Sequence, residues 1–172
     1  MERVFISIGS NAGDRLANCR RVVGQLRGTG GLRVVRRSSF YLTRPWGRPG
    51  QMEFVNCAIE VKTALRPEEL LKFLNAVEKT MGIRQGPRWG PRVIDLDIIF
   101  YGDRVKHGRF LKLPHPCAHQ RAFVMSPLSE IAPEFMHPLL GKKVSDIAAE
   151  LGNEGVRIID RPPHLNPQQG KD

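Results

Sequence analysis

The spacing of apolar residues changes period several times along the chain. Residues 4 to 9, VFISIG, read as a strand that stops at Gly9, and Ser10-Asn11-Ala12-Gly13-Asp14 form the turn behind it. Leu16, Cys19, Val23 and Leu26 then recur at helical spacing, and Gly28-Thr29-Gly30-Gly31 closes that helix. Residues 32 to 43, LRVVRRSSFYLT, are β-branched and aromatic and predict one long strand. After the Gly/Pro-rich RPWGRPGQ comes FVNCAIEVK, where Val55, Cys57, Ile59 and Val61 alternate with Phe54, Asn56, Ala58 and Glu60. The first set predicts a core face, and the second turns Phe54 and Asn56 outward together.

A second helix starts at Pro67, with Glu68 and Glu69 favourable to its dipole and Leu70, Leu74, Val77 and Met81 as its stripe. Gly82 to Pro91 form another Gly/Pro-rich loop before a strand over residues 93 to 101. The order β-α-β-β-α-β predicts an α+β, ferredoxin-like sandwich with both helices on one face of an antiparallel sheet. C-terminal additions follow: a short LKLPHP segment, helices near 121 to 132 and 144 to 151, and a strand VRIID. Residues 1 to 160 are expected to form one domain, and residues 161 to 172 a flexible tail.

Composition removes several classes. Hydrophobic residues make up 41% and charged residues 26%, a globular rather than disordered balance. No apolar run has membrane-spanning length, and MERVFISIGSN lacks a signal-peptide layout. Three widely spaced cysteines argue against a disulfide framework and for the reducing cytoplasm. Charge adds a positive indication: 27 Lys and Arg against 17 Asp and Glu, formally +10, attract polyanions such as nucleic acid or a small polyphosphate.

The chemistry centres on RWGPRVIDLDIIFY, residues 88 to 101. Alternation puts Ile94, Leu96, Ile98 and Phe100 on one face and Asp95 and Asp97 on the other. An exposed D-x-D paired with arginines is the plainer reading. However, adjacent same-face carboxylates repel unless a cation joins them, and Mg2+ commonly uses one or two carboxylates plus substrate phosphates. Arg84, Arg88 and Arg92, clustered just upstream, add phosphate clamps, and together these groups meet the needs of phosphoryl transfer. SIGSNAGD is no P-loop, since no Gly-Lys-Ser/Thr closes it, and it reads as a turn and cap. His115, Cys117 and His119 match no common zinc spacing. Phe54 shares a face with Asn56, and an apolar plane beside an amide suits a flat heterocycle; Phe54 and Phe123 as plain core residues are the alternative. An RNA-binding module would need an aromatic K/R-G-F/Y-x-F/Y strand, which is absent, and a two-metal nuclease would need more carboxylates around the pair.

These stretches also carry a resemblance. SIGSNAGDR, SSFYLTRPWG, FVNCA, RWGPRVIDLDIIFYG, LPHP, and RAFV followed by PLSEIAP occur in the order found in the 6-hydroxymethyl-7,8-dihydropterin pyrophosphokinases. The chain resembles that family up to about residue 160. The resemblance implies the ferredoxin-like fold and transfer of pyrophosphate from MgATP to a hydroxymethyl-dihydropterin, releasing AMP, in folate biosynthesis. It implies two Mg2+ ions on Asp95 and Asp97, and catalytic roles for Arg92 and Arg84. ATP would meet Glu78, Arg88, Arg92, Ile98 (through its main chain), Lys112, His115 and Arg121. The pterin would lie between Phe54 and Phe123. Its hydrogen bonds would come from Asn56 and the main chain of Thr43, Arg44 and Trp46, with Trp89 folding over it. The partners implied are small molecules, with neither nucleic acid nor membrane, for a monomer. The chain departs from the enterobacterial pattern in a shorter 82 to 88 loop with Ile83 where arginine is common, so that Arg84 is the substitute. Phe110 and Lys112 likewise replace arginine and threonine.

Overall fold

The computed structural model describes residues 1–45, 50, 52–82 and 92–163. Strand β1 (Glu2–Ser10) leads into helix α1 (Arg15–Arg27), whose first turn is capped by Asp14 accepting the Ala17 amide proton at 3.0 Å. Strands β2 (Leu32–Arg37), β3 (Phe40–Thr43) and β4 (Phe54–Thr63) follow. Helix α2 (Pro67–Met81) begins with proline at its first turn, and the Arg66 amide donates to Glu69 Oε2 at 2.8 Å. Strand β5 (Asp95–Tyr101), a small hairpin of β6 (Lys106–His107) and β7 (Lys112–Leu113), helices α3 (Ala122–Ile131) and α4 (Val144–Leu151), and strand β8 (Val156–Asp160) complete the chain.

The main sheet runs β5-β1-β4-β3-β8, with β2 also paired to β4, and every pairing is antiparallel. This is the expected ferredoxin-like arrangement, extended by β8 at one edge. Val4, Ile6 and Ile8 of β1 and Val55, Cys57, Ile59 and Val61 of β4 bury one face against Cys19, Val22 and Leu26 of α1 and Leu70 and Leu74 of α2. Amphipathic helices with this spacing hide their apolar stripe in just this way.

Three expectations need correction. The single strand over 32 to 43 is two strands, because the buried serines at 38 and 39 take over the local hydrogen bonding. Ser38 Oγ accepts the Ala58 amide proton at 2.9 Å, and the Ser39 amide donates to Glu130 Oε1 at 2.9 Å. The second face of β4 is not outward either. Phe5, Ala58, Ile99 and Phe100 pack there against Val124, Leu128 and Ile131 of α3 and Val144 and Ile147 of α4. Helices therefore cover both faces, two on each. Finally, Phe100 does not share a face with Leu96 and Ile98. Phe5 faces Phe100 while Ile6 faces Ile98, so Ile99 is an extra residue in a bulge that turns Phe100 toward α3 and α4.

Candidate active site

Register on the second face sets the site. Asp97 lies opposite Ser7, which lies opposite Ala58. One row further on, Asp95, Gly9, Asn56 and Tyr41 succeed one another across four strands, and Phe54 faces Thr43 beyond them. The α3 and α4 layer covers the Phe5, Ala58 and Phe100 end of this face. The other end, where β1 and β3 finish and β4 and β5 begin, is left for the polar residues. Both aspartates therefore lie on the face away from α1 and α2, as alternation predicts.

Gly9 is what makes the middle of this row passable. A Cβ there would stand 2.6 Å from Asn56 Oδ1, so the carboxamide crosses β1 only because residue 9 has no side chain. Asn56 Nδ2 donates to Thr43 Oγ1 at 2.6 Å, and both side chains are buried. Phe54 is half-buried one row beyond. Phe123, in the first turn of α3, packs against the second core, and the Arg121 guanidinium lies 5.7 Å from its ring centre.

The carboxylates are held in a charged setting. Arg92 Nη1 donates to Asp95 Oδ1 at 2.5 Å. Its backbone is anchored twice by Asn11: the Arg92 amide donates to Asn11 Oδ1 at 2.7 Å, and the Asn11 amide donates to the Arg92 carbonyl at 3.1 Å. Burial, reinforced by Asp95, pushes the Asp97 carboxyl up to about 6, against the opposing pull of Arg121 and Arg92. Glu78 of α2 accepts the Leu96 amide proton at 2.6 Å, and burial, aided by the charges of Asp95 and Asp97, raises it to about 7. The His115 amide donates to the Ile99 carbonyl at 2.9 Å. Burial and then Arg121 lower the His115 pKa, and its Nδ1 accepts the Cys117 amide proton at 3.3 Å. The neutral ring thus carries its proton on Nε2.

A hard divalent cation fits this donor set. Two carboxylates on one strand face, one of them resisting ionisation because it is buried and its neighbour is charged, gain from a cation between them. Among the described residues no cluster of three or more His, Cys, Asp or Glu forms an all-protein metal cage. Mg2+ needs none when substrate phosphates and water complete its shell. The His115, Cys117 and His119 stretch does not converge: His119 sets its ring edge-on to His137 at 5.6 Å instead.

Other expected residues are placed with less convergence. Ile98 is a core side chain, and its main chain belongs to β5, the edge strand of the sheet. The Arg44 amide donates to Gly155 at 3.0 Å, and its guanidinium lies 4.0 Å from Glu154, beside β8. Lys112 is exposed on β7. Phe110 is 83% exposed and lines a cavity of about 420 Å³ with Leu71 and Asn75 of α2, one turn from Glu78. Trp46, Arg84, Arg88 and Trp89 lie outside the described residues, as does most of the two Gly/Pro-rich loops.

Two residues that support the site were not singled out from the sequence. Asn11 looks, along the chain, like no more than part of a turn. Glu130, inside PLSEIAP, accepts from the Ser39 amide, from Ser39 Oγ at 2.8 Å and from the Tyr41 hydroxyl at 2.6 Å, tying α3 to the end of the Asp95–Tyr41 row. A lone glutamate amid Leu128, Ile131 and Ala132 was the available signal.

A carboxylate pair that suits Mg2+, with Arg92 and Arg121 beside it on a ferredoxin-like sheet, has the parts that phosphoryl-transferring enzymes use. Residues 5–133 match the family model described as 7,8-dihydro-6-hydroxymethylpterin-pyrophosphokinase (HPPK). The chain is 40% identical over 161 residues to the 2-amino-4-hydroxy-6-hydroxymethyldihydropteridine pyrophosphokinase of Methylorubrum extorquens, spanning 93% of this chain and 100% of that protein. It is 38% identical over 154 residues to the Bacillus subtilis protein of the same name, covering 90% and 88% of the two chains. Among solved structures, a Plasmodium falciparum HPPK-DHPS triple mutant superposes with a TM-score of 0.74 at 14% identity over 93% of this chain. This chain spans 48% of that structure's length, and the likeness concerns the fold. The chain belongs to the 7,8-dihydro-6-hydroxymethylpterin-pyrophosphokinase family. It is an ATP-dependent diphosphotransferase of folate biosynthesis that transfers pyrophosphate to hydroxymethyldihydropterin. Among the described residues no helix is long and apolar enough to cross a membrane.

Proposed function

We propose that pyrophosphoryl transfer from MgATP takes place at the row from Asp95 to Thr43, with AMP as the released product. The observation that carries this reading is the register that sets Asp95, Gly9 and Asn56 side by side on one face. The backbones of Asp95 and Asn56 stand about 10 Å apart with only a glycine between them, which supports a cation on one side and a ligand edge on the other. The flat pterin then lies beside Asn56, its polar edge on Asn56 and Thr43 and its faces against Phe54 and Phe123. Arg44, Trp46 and Trp89 join this part of the site on the strength of the resemblance.

Asp95 and Asp97 would hold two Mg2+ ions. When bound, the metal supplies charge neutralisation for the phosphates and lowers the pKa of the attacking hydroxyl. The protein's own part is positional. Arg92, clamped by Asn11 at the start of β5, faces the phosphates with Arg121. His115 offers its Nε2 proton to a phosphate oxygen rather than acting as a base. Glu78 and the edge of β5 at Ile98 hold the nucleoside, with Arg84, Arg88 and Lys112 as further ATP contacts. Holding attacker and β-phosphorus in line turns a bimolecular step into one within a complex. The working form is a monomer in the reducing cytoplasm, a setting supported by the free thiols of Cys19, Cys57 and Cys117.

The test is incubation with MgATP and 6-hydroxymethyl-7,8-dihydropterin followed by nucleotide analysis. AMP formed in step with pterin pyrophosphate is expected. Stoichiometric ADP would show attack on the γ-phosphorus and end this reading.

A further inference from the structure

A second concave site lies at the far edge of the sheet. Arg20, Val23, Gly24 and Arg27 recur at helical spacing on one side of α1. Facing them are Arg37 at the end of β2, Phe40 at the start of β3, and Asp160, Arg161 and Pro163 at and beyond the end of β8. Together they line an open cleft of about 370 Å³. Because β5 and β8 end opposite edges of the five-strand path, this cavity is about 19 Å across the sheet from the aspartate pair.

Its charge is lopsided. Arg20 pairs with Asp160 at 2.9 Å, the one acidic residue in the lining. Neither Arg27 nor Arg161 forms an ion pair with the described residues. Arg37 is half-buried: its guanidinium stacks 4.1 Å from the Phe40 ring centre and donates to the Ser38 carbonyl at 2.7 Å. Burial lowers the pKa of Arg37, with a smaller push from Arg27, against the opposing pull of Asp160 and Glu130. Four arginines share this cleft with one carboxylate, a local excess of positive charge that attracts an anion. Gly24 adds an independent sign. It stands inside a helix, where glycine costs about 1 kcal/mol relative to alanine, yet a Cβ there would meet nothing within 4 Å. No packing demand explains it, and its effect is to leave the cavity wall open.

We propose that this arginine cleft is a ligand site separate from the catalytic one, and that it takes a small phosphomonoester. Guanidinium forks match phosphate oxygens in pairs, which suits Arg27, Arg37 and Arg161. The volume exceeds that of a bare phosphate and falls in the range of small-molecule pockets. Pro163, exposed at the rim, supplies apolar surface for the organic part of the ester, with the buried Val23 and Phe40 beneath the cleft.

The experiment is amide NMR on the full-length, metal-free protein, titrated separately with inorganic phosphate and with phenyl phosphate. Saturable shifts at Gly24, Arg27, Arg37 and Arg161 are expected, with phenyl phosphate the tighter ligand. Arg27→Ala combined with Arg161→Ala should weaken that binding about tenfold or more. Gly24→Leu, a good helix former that fills the cavity, should remove it while pyrophosphokinase turnover stays at the wild-type level. Shifts that never saturate, or that persist in both variants, would overturn the proposal. So would shifts confined to Arg92 and Asp97, which would place the anion in the catalytic site. Equal affinity for phosphate and phenyl phosphate would overturn the assignment to an ester.

Discussion

Glu78 Oε1 accepts the Leu96 amide proton at 2.6 Å, tying α2 to the residue between Asp95 and Asp97. Three carboxyl groups are thereby gathered around one short stretch of β5. Since burial and the two aspartates raise Glu78 from 4.5 to about 7, the folded protein holds a proton there that the unfolded chain releases. Metal-free stability is fully supported below about pH 4.5 and falls as pH rises toward about 7. Glu78→Gln keeps an acceptor for Leu96 without the charge. In EDTA it should be more stable than wild type at pH 8 by about 1 kcal/mol after solvent screening, and no more stable at pH 4. Urea unfolding at the two pH values measures this, and an equal effect at both would rule out titration of Glu78 as the cause.

Asp97 responds in the same direction but has a second duty. If Asp97 holds the cation as proposed, Asp97→Asn should lower turnover about a thousandfold and weaken MgATP binding. The same variant should be more stable than wild type in EDTA above pH 6, where the wild-type carboxyl carries its unfavourable charge. Calorimetry with and without Mg2+ separates the two effects. Retained activity at saturating Mg2+ would make the aspartate pair structural.

Gly9→Ala is predicted to act on the pterin rather than on the nucleotide. The new methyl would sit 2.6 Å from Asn56 Oδ1, and Asn56 cannot retreat without losing its bond to Thr43. Pterin affinity should fall about tenfold, or about 1.4 kcal/mol, with MgATP affinity unchanged. Separate titrations with each ligand provide the check. Parallel losses would point to a general disturbance of β1.

Glu130→Ala should destabilise the fold by about 3 kcal/mol, because the Ser39 amide, the Ser39 hydroxyl and the Tyr41 hydroxyl lose their acceptor together. Glu130→Gln retains one acceptor oxygen and should recover about half of that loss. Chemical denaturation of the two variants gives the comparison, and equal stability of Glu130→Ala and wild type would show that water replaces the carboxylate.

Much of this protein is legible along the chain because its information is local. Period-two alternation in β1 and β4 and helical spacing in α1 and α2 are properties of neighbouring residues, and they determine the helix-covered face of the sheet. The same alternation separates Asp95 and Asp97 from Leu96 and Ile98. Tertiary structure decides what alternation cannot reach. The Ile99 bulge turns Phe100 because β5 must match both β1 and the α3–α4 layer, a requirement set by residues far along the chain. Glu130 interrupts the 32 to 43 strand from about 90 residues away, through hydrogen bonds no nearby residue predicts. Gly9 looks like the end of a strand until register brings Asn56 across it. The arginines at 20, 27, 37 and 161 read as scattered surface charge until α1 and the β3–β8 edge fold around one space. Periodicity specifies which way each side chain points. Only the closing of the sheet specifies what it meets there.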